Sequence, residues 1–239
     1  MPEIAVVVVG AFLAAFAIGV SGFADALIAT AIWLHVLDPK QTVPLVAATG
    51  LVNHVLPLFY LRRSIDARRL APFLAAGALG VPIGAWGLAV VEPDPLKIGI
   101  GGFLIACSLF MLFRPALISW GGSRPIADGS VGFVGGVLGG LTGLSGVLPT
   151  MWSGYRGWTT DEQRAVFETY MFFMNGVILG WLGFQGRVGL ETWLYLLYSL
   201  PAIAVGVMLG FAVYRHLDDR QFRRIVLWLL LLSGVALVL

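Results

Sequence analysis

Two strings of one type interrupt long apolar stretches of this chain: Gly-Val-Ser-Gly at residues 19–22 and Gly-Leu-Ser-Gly at residues 143–146. A helix that restarts after such a break has N–H groups without partners and a positive dipole end. With a serine hydroxyl alongside, this end suits a small oxyanion, and the glycines let the backbone approach a ligand closely. The alternative is that the small residues only allow close helix packing. Because the string occurs twice, we favour a substrate site formed by Ser21, Gly22, Ser145 and Gly146.

Ionisable side chains within apolar stretches are costly in lipid, so each is a functional candidate. Asp25 lies one turn beyond Ser21 and could carry a coupling proton, or could only stabilise the start of a helix. His54 lies in the middle of an apolar stretch, where it could exchange protons near neutral pH or be a hydrogen-bonded interior histidine. Asp25 and His54 are therefore the candidates for proton coupling.

Further polar residues could contact the same anion. Asn53 and Asn175 are amides that could donate to a substrate oxygen, and Thr150 is a polar group beside the second string. Arg164 could attract an anion towards that string. Glu168 follows Arg164 by four residues, which is the spacing of an ion pair within one helix, so a structural pair is the alternative for Arg164.

The elements that position these residues are membrane helices. Of 239 residues, 59% are hydrophobic and 12% are charged, beyond the apolar share of a soluble domain. A bilayer span takes ~20 apolar residues, so the chain has room for about eight hydrophobic segments and none for a separate soluble catalytic domain. These segments lie at residues 4–37, 43–61, 70–91, 96–113, 130–155, 165–184, 190–214 and 222–239.

The basic residues indicate the topology. The net charge is +2, and the 15 Lys and Arg lie between apolar stretches, where they orient a protein in the bilayer; we predict no nucleic-acid partner. Eight full crossings would divide them almost equally between the two sides. If the two interrupted segments enter and leave on one face, twelve lie on one side and three on the other. This arrangement predicts a multi-pass membrane protein with both termini outside the cytoplasm.

The two halves of the chain resemble each other. The interrupting strings and the two asparagines, Asn53 and Asn175, recur in the same order at offsets of 122 to 124 residues. We therefore predict an all-α membrane fold of two inverted repeats, each a broken, re-entrant hairpin followed by three transmembrane helices. The first repeat covers residues 1–118, a connecting loop covers 119–130, and the second repeat covers 131–239.

Other kinds of function have weaker support. The single cysteine, Cys107, excludes an intrachain disulfide, and the three scattered histidines give no metal site; we expect no cofactor. A rhomboid-like intramembrane serine protease needs a histidine base near its serine, but only His216 follows Ser145, in an arginine-rich loop; pairing of Ser21 with His54 remains open. A passive anion channel could use the same helix ends as a carrier.

Several of these features together resemble the TauE/SafE family of sulfite and organosulfonate permeases. They are the two Gly-x-Ser-Gly hairpins, the small-residue run at 77–84 followed by Asp-Pro-Leu at 94–96, and Arg164. The resemblance covers nearly the whole chain. It implies a secondary transporter of the bacterial inner membrane, not an enzyme, that moves a small sulfur-containing anion such as sulfite, thiosulfate or a short organosulfonate. Both termini would then be periplasmic. Its partners would be the lipid bilayer, coupling protons and, in a homo-oligomer, further copies of the chain.

Overall fold

The computed structural model describes residues 2–112, 122, 124–153 and 156–214, together with positions 228, 231, 232 and 235. Within this part every regular element is an α-helix. The helices are α1 Pro2–Ser21, α2 Asp25–Trp33, α3 Pro39–Leu61, α4 Ala67–Val90, α5 Pro93–Leu112, α6 Pro125–Thr142, α7 Val147–Ser153, α8 Thr160–Phe184 and α9 Leu190–Tyr214. Part of the predicted connecting loop, and all but four positions of the predicted last segment at 222–239, lie outside the described residues.

Five stretches within the described helices are long and apolar enough to cross a bilayer, which confirms the predicted class of all-α membrane protein. These stretches are Glu3–Val20, Pro39–Leu61, Ala67–Val90, Asp161–Phe184 and Leu190–Val213.

The predicted break in the first apolar segment is confirmed. Helix α1 ends at Ser21 and α2 begins at Asp25. Between them, Gly22 has φ 72° and Ala24 has φ 81°, both in the left-handed region. The Gly22 N–H still donates to the Ile18 carbonyl at 2.8 Å. The chain therefore leaves the helix with that donor satisfied, and a non-glycine residue holds a conformation that costs roughly 1–2 kcal/mol.

The second predicted break has the same form. Helix α6 ends at Thr142, and the next residue, Gly143, has φ 81° and donates its N–H to the Gly139 carbonyl at 2.8 Å. The Thr142 hydroxyl accepts a hydrogen bond from the Leu144 N–H at 3.3 Å, which satisfies a second backbone donor in the turn. Helix α7 begins at Val147. Local hydrogen bonds thus offset part of the cost of each interruption.

The two arms of each interrupted segment differ in length, which the sequence analysis did not anticipate. Helices α1 and α6 have 20 and 18 residues, whereas α2 and α7 have 9 and 7. At ~1.5 Å per residue, a 20-residue helix spans ~30 Å, about the thickness of the hydrocarbon core. Only the second arm is therefore a half-helix, and the re-entrant path stays a prediction.

The chain forms two compact units, and each takes segments from both halves of the sequence. The first unit comprises Met1–Val46, Val91–Pro115 and Gly189–Leu239, and the second comprises Ala47–Val90 and Ala116–Val188. These units differ from the two sequence repeats, whose boundaries stay a prediction.

In the first unit, α1 packs closely against α9. A Cβ atom added at Gly19 would lie 2.8 Å from the Val207 carbonyl oxygen, and one added at Gly206 would lie 2.6 Å from the Phe12 carbonyl oxygen. The indole N–H of Trp33, on α2, donates to the Val7 carbonyl of α1 at 3.1 Å. Glycines thus allow the α1 and α9 backbones to touch, and a buried indole fixes α2 to α1.

In the second unit, α4 and α6 approach each other through glycines on both helices. A Cβ atom at Gly84 would lie 2.8 Å from the Leu141 nitrogen, and one at Gly140 would lie 2.8 Å from the Ala85 nitrogen. Because the obstructing atoms belong to the backbone, a side chain cannot be accommodated by a rotamer change. The glycines that make this seam are Gly77, Gly80 and Gly84 on α4, and Gly132, Gly136 and Gly140 on α6.

Substitution of Gly84 by alanine tests this packing. We expect Gly84→Ala to destabilise the fold by about 1–3 kcal/mol, because the new methyl group pushes two helix backbones apart. The measurement is the thermal unfolding midpoint in detergent. Gly180→Ala in α8 is the matched control, since nothing lies within 4 Å of the added methyl, and its midpoint should be equal or slightly higher. Equal midpoints for both variants would contradict close backbone contact.

Candidate functional site

The first interruption lies in the first unit and carries an acidic group at the start of a half-helix. Asp25 is the first residue of α2 and is only 2% exposed. One and a half turns later, the buried Thr30 hydroxyl has no hydrogen-bond partner among the described residues. Gly22 is buried; Ser21 is the last residue of α1, and its side chain lies outside the described part of the structure. Polar groups therefore follow the break on the short arm.

The second interruption lies in the second unit and holds three of the predicted ligand contacts together. Ser145 and Gly146 are buried just before α7, and the Thr150 N–H in its first turn donates to the Gly146 carbonyl at 3.0 Å. The Thr150 hydroxyl oxygen is buried without a hydrogen-bond partner among the described residues. Since an unpartnered buried hydroxyl is unfavourable, it is a group that a bound ligand could satisfy.

The glycines of α6 also explain how this turn is held. A Cβ atom at Gly139 would lie 2.7 Å from the Ser145 Cβ, and one at Gly135 would lie 2.8 Å from the Ser145 carbonyl oxygen. The chain after the break therefore lies directly on α6. Gly146 in turn contacts the sulfur of Met171 on α8. Small residues on one helix thus set the position of the candidate serine.

The polar residues of α3 and α8 form a buried seam in the same unit. The His54 Nδ1 lies 2.6 Å from the Glu168 Oε2, and the two residues are 1% and 0% exposed. The amide of Asn175 lies against Gly50, one turn before His54 on α3. Asn53 is also buried, at 2% exposure. The structure thus brings polar residues of α3 and α8 into contact that the sequence analysis did not pair.

The contact of Glu168 across the helices was not predicted. Sequence spacing paired Glu168 with Arg164, whereas the structure places a Glu168 oxygen against His54, 114 residues away in sequence. Arg164 is half-buried one turn before Glu168 on α8. The ion pair between Arg164 and Glu168 and the role of Arg164 in attracting an anion both stay predictions.

A second polar cluster was missed by the sequence analysis. Asp128, in the first turn of α6, accepts hydrogen bonds from the Trp152 indole at 2.7 Å and from the Arg156 guanidinium at 3.3 Å. The Arg156 and Arg69 guanidinium carbons lie 5.2 and 5.5 Å from the centre of the Trp158 ring, within the range of cation–π attraction. The sequence signal that could have indicated this cluster is an acidic residue, Asp128, in the first turn of an apolar helix. The Asp128 cluster ties the end of α7 to the start of α6.

The described residues do not suggest metal binding. They include no group of three or more His, Cys, Asp or Glu side chains that could hold an ion. His35 is exposed, and His216, the base considered for a protease, lies outside the described residues.

Membrane-length helices, with two helices interrupted beside buried polar side chains, are features of multi-pass membrane transport proteins. The family model for the sulfite exporter TauE/SafE matches residues 7–237. The chain belongs to this family, which confirms the resemblance noted in its sequence. The family consists of membrane transporters of sulfur-containing anions. No curated protein and no solved structure matches the chain.

Removing the Arg156 charge tests the Asp128 cluster. Both side chains of this pair are at most 6% exposed. Because Arg156→Met leaves a buried carboxylate without its cation, we expect destabilisation of about 3–5 kcal/mol, measured as a lower unfolding midpoint in detergent. The matched control is Arg68→Met, whose side chain is exposed and which should change the midpoint little. Addition of Asp128→Asn to Arg156→Met should restore part of the loss; a further additive loss would contradict the pairing.

Proposed function

We propose that this chain is a secondary transporter that moves a small sulfur-containing anion across the bacterial inner membrane, coupled to protons. The observation that carries the proposal is the pair of helix interruptions followed by buried polar groups, in a chain of the TauE/SafE family. Irregular backbone at membrane depth is tolerated only where it is buried in protein or lines a wet cavity. A transport site gives both interruptions a reason to exist.

The second interruption supplies the most complete set of candidate anion contacts. Ser145 and Thr150 contribute hydroxyl donors, and Gly146 allows the backbone to approach the ligand closely. The unpartnered Thr150 hydroxyl supports this assignment, because a sulfonate or sulfite oxygen can accept its proton in a hydrogen bond. Burial strengthens such hydrogen bonds by excluding competing water.

The remaining proposed contacts come from the first interruption and from the α3–α8 seam. Ser21 and Gly22 would contribute to the anion site as the counterparts of Ser145 and Gly146. Asn53 and Asn175 would offer amide donors, and Arg164 would attract the anion. Asp25 and His54 are the proposed proton-coupling residues.

Helix pairing within the units supports the proposed inverted repeats. Helices α1 and α6 each begin one half of the chain. Helices α4 and α9 have matching places in the order: α4 follows the α1–α2 hairpin and α3, and α9 follows the α6–α7 hairpin and α8. In the first unit α1 packs on α9, and in the second unit α6 packs on α4, in both cases through glycines. Each half thus contributes its first helix to a pair with the later helix of the other half, as expected for a duplicated chain.

Replacing both serines tests the proposed anion site. A hydrogen bond to a charged group contributes ~1.5–3 kcal/mol, so we expect Ser21→Ala with Ser145→Ala to reduce uptake by roughly a hundredfold. The measurement is uptake of labelled methanesulfonate, thiosulfate and sulfite into proteoliposomes, with and without a pH gradient. Folded yield should stay near that of the parent. Ser130→Ala is the matched control, because Ser130 is exposed on α6 and its hydroxyl bonds only its own helix.

Unchanged uptake in the double variant would overturn the assignment of the serines. Saturation and counterflow of the labelled anion are expected for a carrier. A flux that rises linearly with concentration and shows no counterflow would instead identify a passive channel.

A further inference from the structure

We infer that His54 and Glu168 together form the proton-binding group of this protein, which takes up one proton when an anion binds. The inference rests on the proposed transport function and adds a residue, Glu168, and an atom at which the proton binds. It starts from the contact between the two side chains, which lie on different membrane-length helices.

The pair lies within both helices, away from their ends. His54 precedes the end of α3 by seven residues, and Glu168 follows the start of α8 by eight. At ~1.5 Å per residue, each side chain lies roughly 10–12 Å along its helix from the end. Both residues are almost completely buried. Ionisable groups in such positions are costly unless they are paired, and they commonly take part in proton relays.

The 2.6 Å contact determines how the pair can hold protons. In the state with Glu168 ionised, the His54 Nδ1–H donates to Glu168 Oε2, because a carboxylate only accepts hydrogen bonds. This arrangement leaves the Nε2 of the ring as the position at which a further proton can bind. With Nε2 bare, the pair carries one negative charge. With Nε2 protonated, an imidazolium faces a carboxylate and the net charge of the pair is zero.

These two states couple a proton to an anion through charge alone. A proton on Nε2 makes the site one charge unit more positive, whatever fixed charges such as Arg164 surround it, and a more positive site attracts an anion more strongly. Binding of the anion in turn favours the proton. By reciprocity, each ligand strengthens the binding of the other by the same factor. The bare state favours release of the anion.

The charged groups near the pair are fixed cations or are engaged with one another, so we take the His54–Glu168 pair as the group that changes charge. On α8, Arg164 lies one turn before Glu168 and is a fixed cation, while the Tyr170 hydroxyl donates to the Gly132 carbonyl at 2.7 Å. On α4, Arg69 is paired with Glu162 at 2.7 Å.

On α6, the Asp128 carboxylate is compensated by Arg156, and the described residues of α7 include no ionisable side chain. Arg69 of α4 and Asp128 of α6 are therefore engaged in pairs of their own, Arg68 of α4 is exposed, and the Tyr170 hydroxyl is neutral near physiological pH.

The first test separates net transport from exchange in proteoliposomes. Methanesulfonate is the probe, because its charge does not change near neutral pH, and an entrapped dye reports protons. For Glu168→Gln, which leaves no carboxylate at the site, we expect proton-coupled net uptake to fall at least about tenfold, while counterflow of the labelled anion, which needs no net proton movement, stays within about twofold. For His54→Gln, which leaves the Glu168 carboxylate without the ring that takes up the proton, both net uptake and counterflow should fall. His35→Gln, an exposed histidine in the first unit, should change neither. Variants that still move protons with the anion would overturn the inference.

The second test needs no transported anion. In the parent protein labelled with 15N-histidine in nanodiscs, the His54 ring, identified by loss of its signal in His54→Gln, should change protonation between about pH 5 and 8. In Glu168→Gln the ring should no longer show this transition at the same pH, because the carboxylate beside it is gone. A His54 ring that keeps one protonation state across this range would overturn the inference. If His54 titrates but the parent moves no anion, the proton site stands and the proposed transport function fails.

Discussion

A helix that stops within a hydrocarbon environment leaves backbone N–H and C=O groups that water cannot satisfy, and each such group costs several kcal/mol. This chain stops an apolar helix twice, after Ser21 and after Thr142. At both points the first N–H after the helix donates to a carbonyl of its last turn, from Gly22 to Ile18 and from Gly143 to Gly139, which satisfies one carbonyl that the end of the helix would leave without a partner. The polar side chains that follow each interruption, such as those of Asp25 and Thr150, lie on the short helices α2 and α7, where a ligand could contact them. The candidate chemistry depends on these two interruptions.

Close packing of glycines holds the second interruption in place. Helix α6 carries glycines on two faces: one face, with Gly136 and Gly140, contacts the backbone of α4, and the other, with Gly135 and Gly139, contacts Ser145. A bulky residue on the first face would displace α6 from α4, and one on the second would displace the turn from α6. The Asp128 cluster closes the far end of the same hairpin. Position at the candidate site therefore comes from backbone contact, which is stiffer than side-chain packing.

Much of the architecture could be predicted from the sequence because its signals are local. Apolar length gave the membrane helices, and the Gly-x-Ser-Gly strings gave both interruptions within a residue or two. The unequal lengths of the two helices of each hairpin were harder to predict. Helix α6 begins at Pro125, within the stretch that the sequence analysis assigned to a connecting loop. A proline at the first position of a helix is the signal that marks this start.

The polar partners were harder to predict because they join distant segments. Spacing along one helix suggested Arg164 as the partner of Glu168, since residues four apart share a face. Which helix lies opposite that face is set by tertiary packing, so the contact with His54 has no local signature. The same holds for Asp128 and Arg156, which meet only because α7 folds back towards α6. The sequence therefore predicted candidate polar residues, and the structure identified the partners of some of them.

Protection of a single thiol by an anion tests the central claim, that the interruption before α7 contacts the transported substrate. In a Cys107→Ser background, Thr150→Cys places the only cysteine at the unpartnered hydroxyl, and Ser130→Cys places it on the exposed face of α6 as the control. The rate of labelling by a maleimide is measured with increasing methanesulfonate. The account predicts saturable slowing of labelling at position 150 and a constant rate at position 130. Labelling at position 150 that proceeds readily and at the same rate with and without the anion would contradict it.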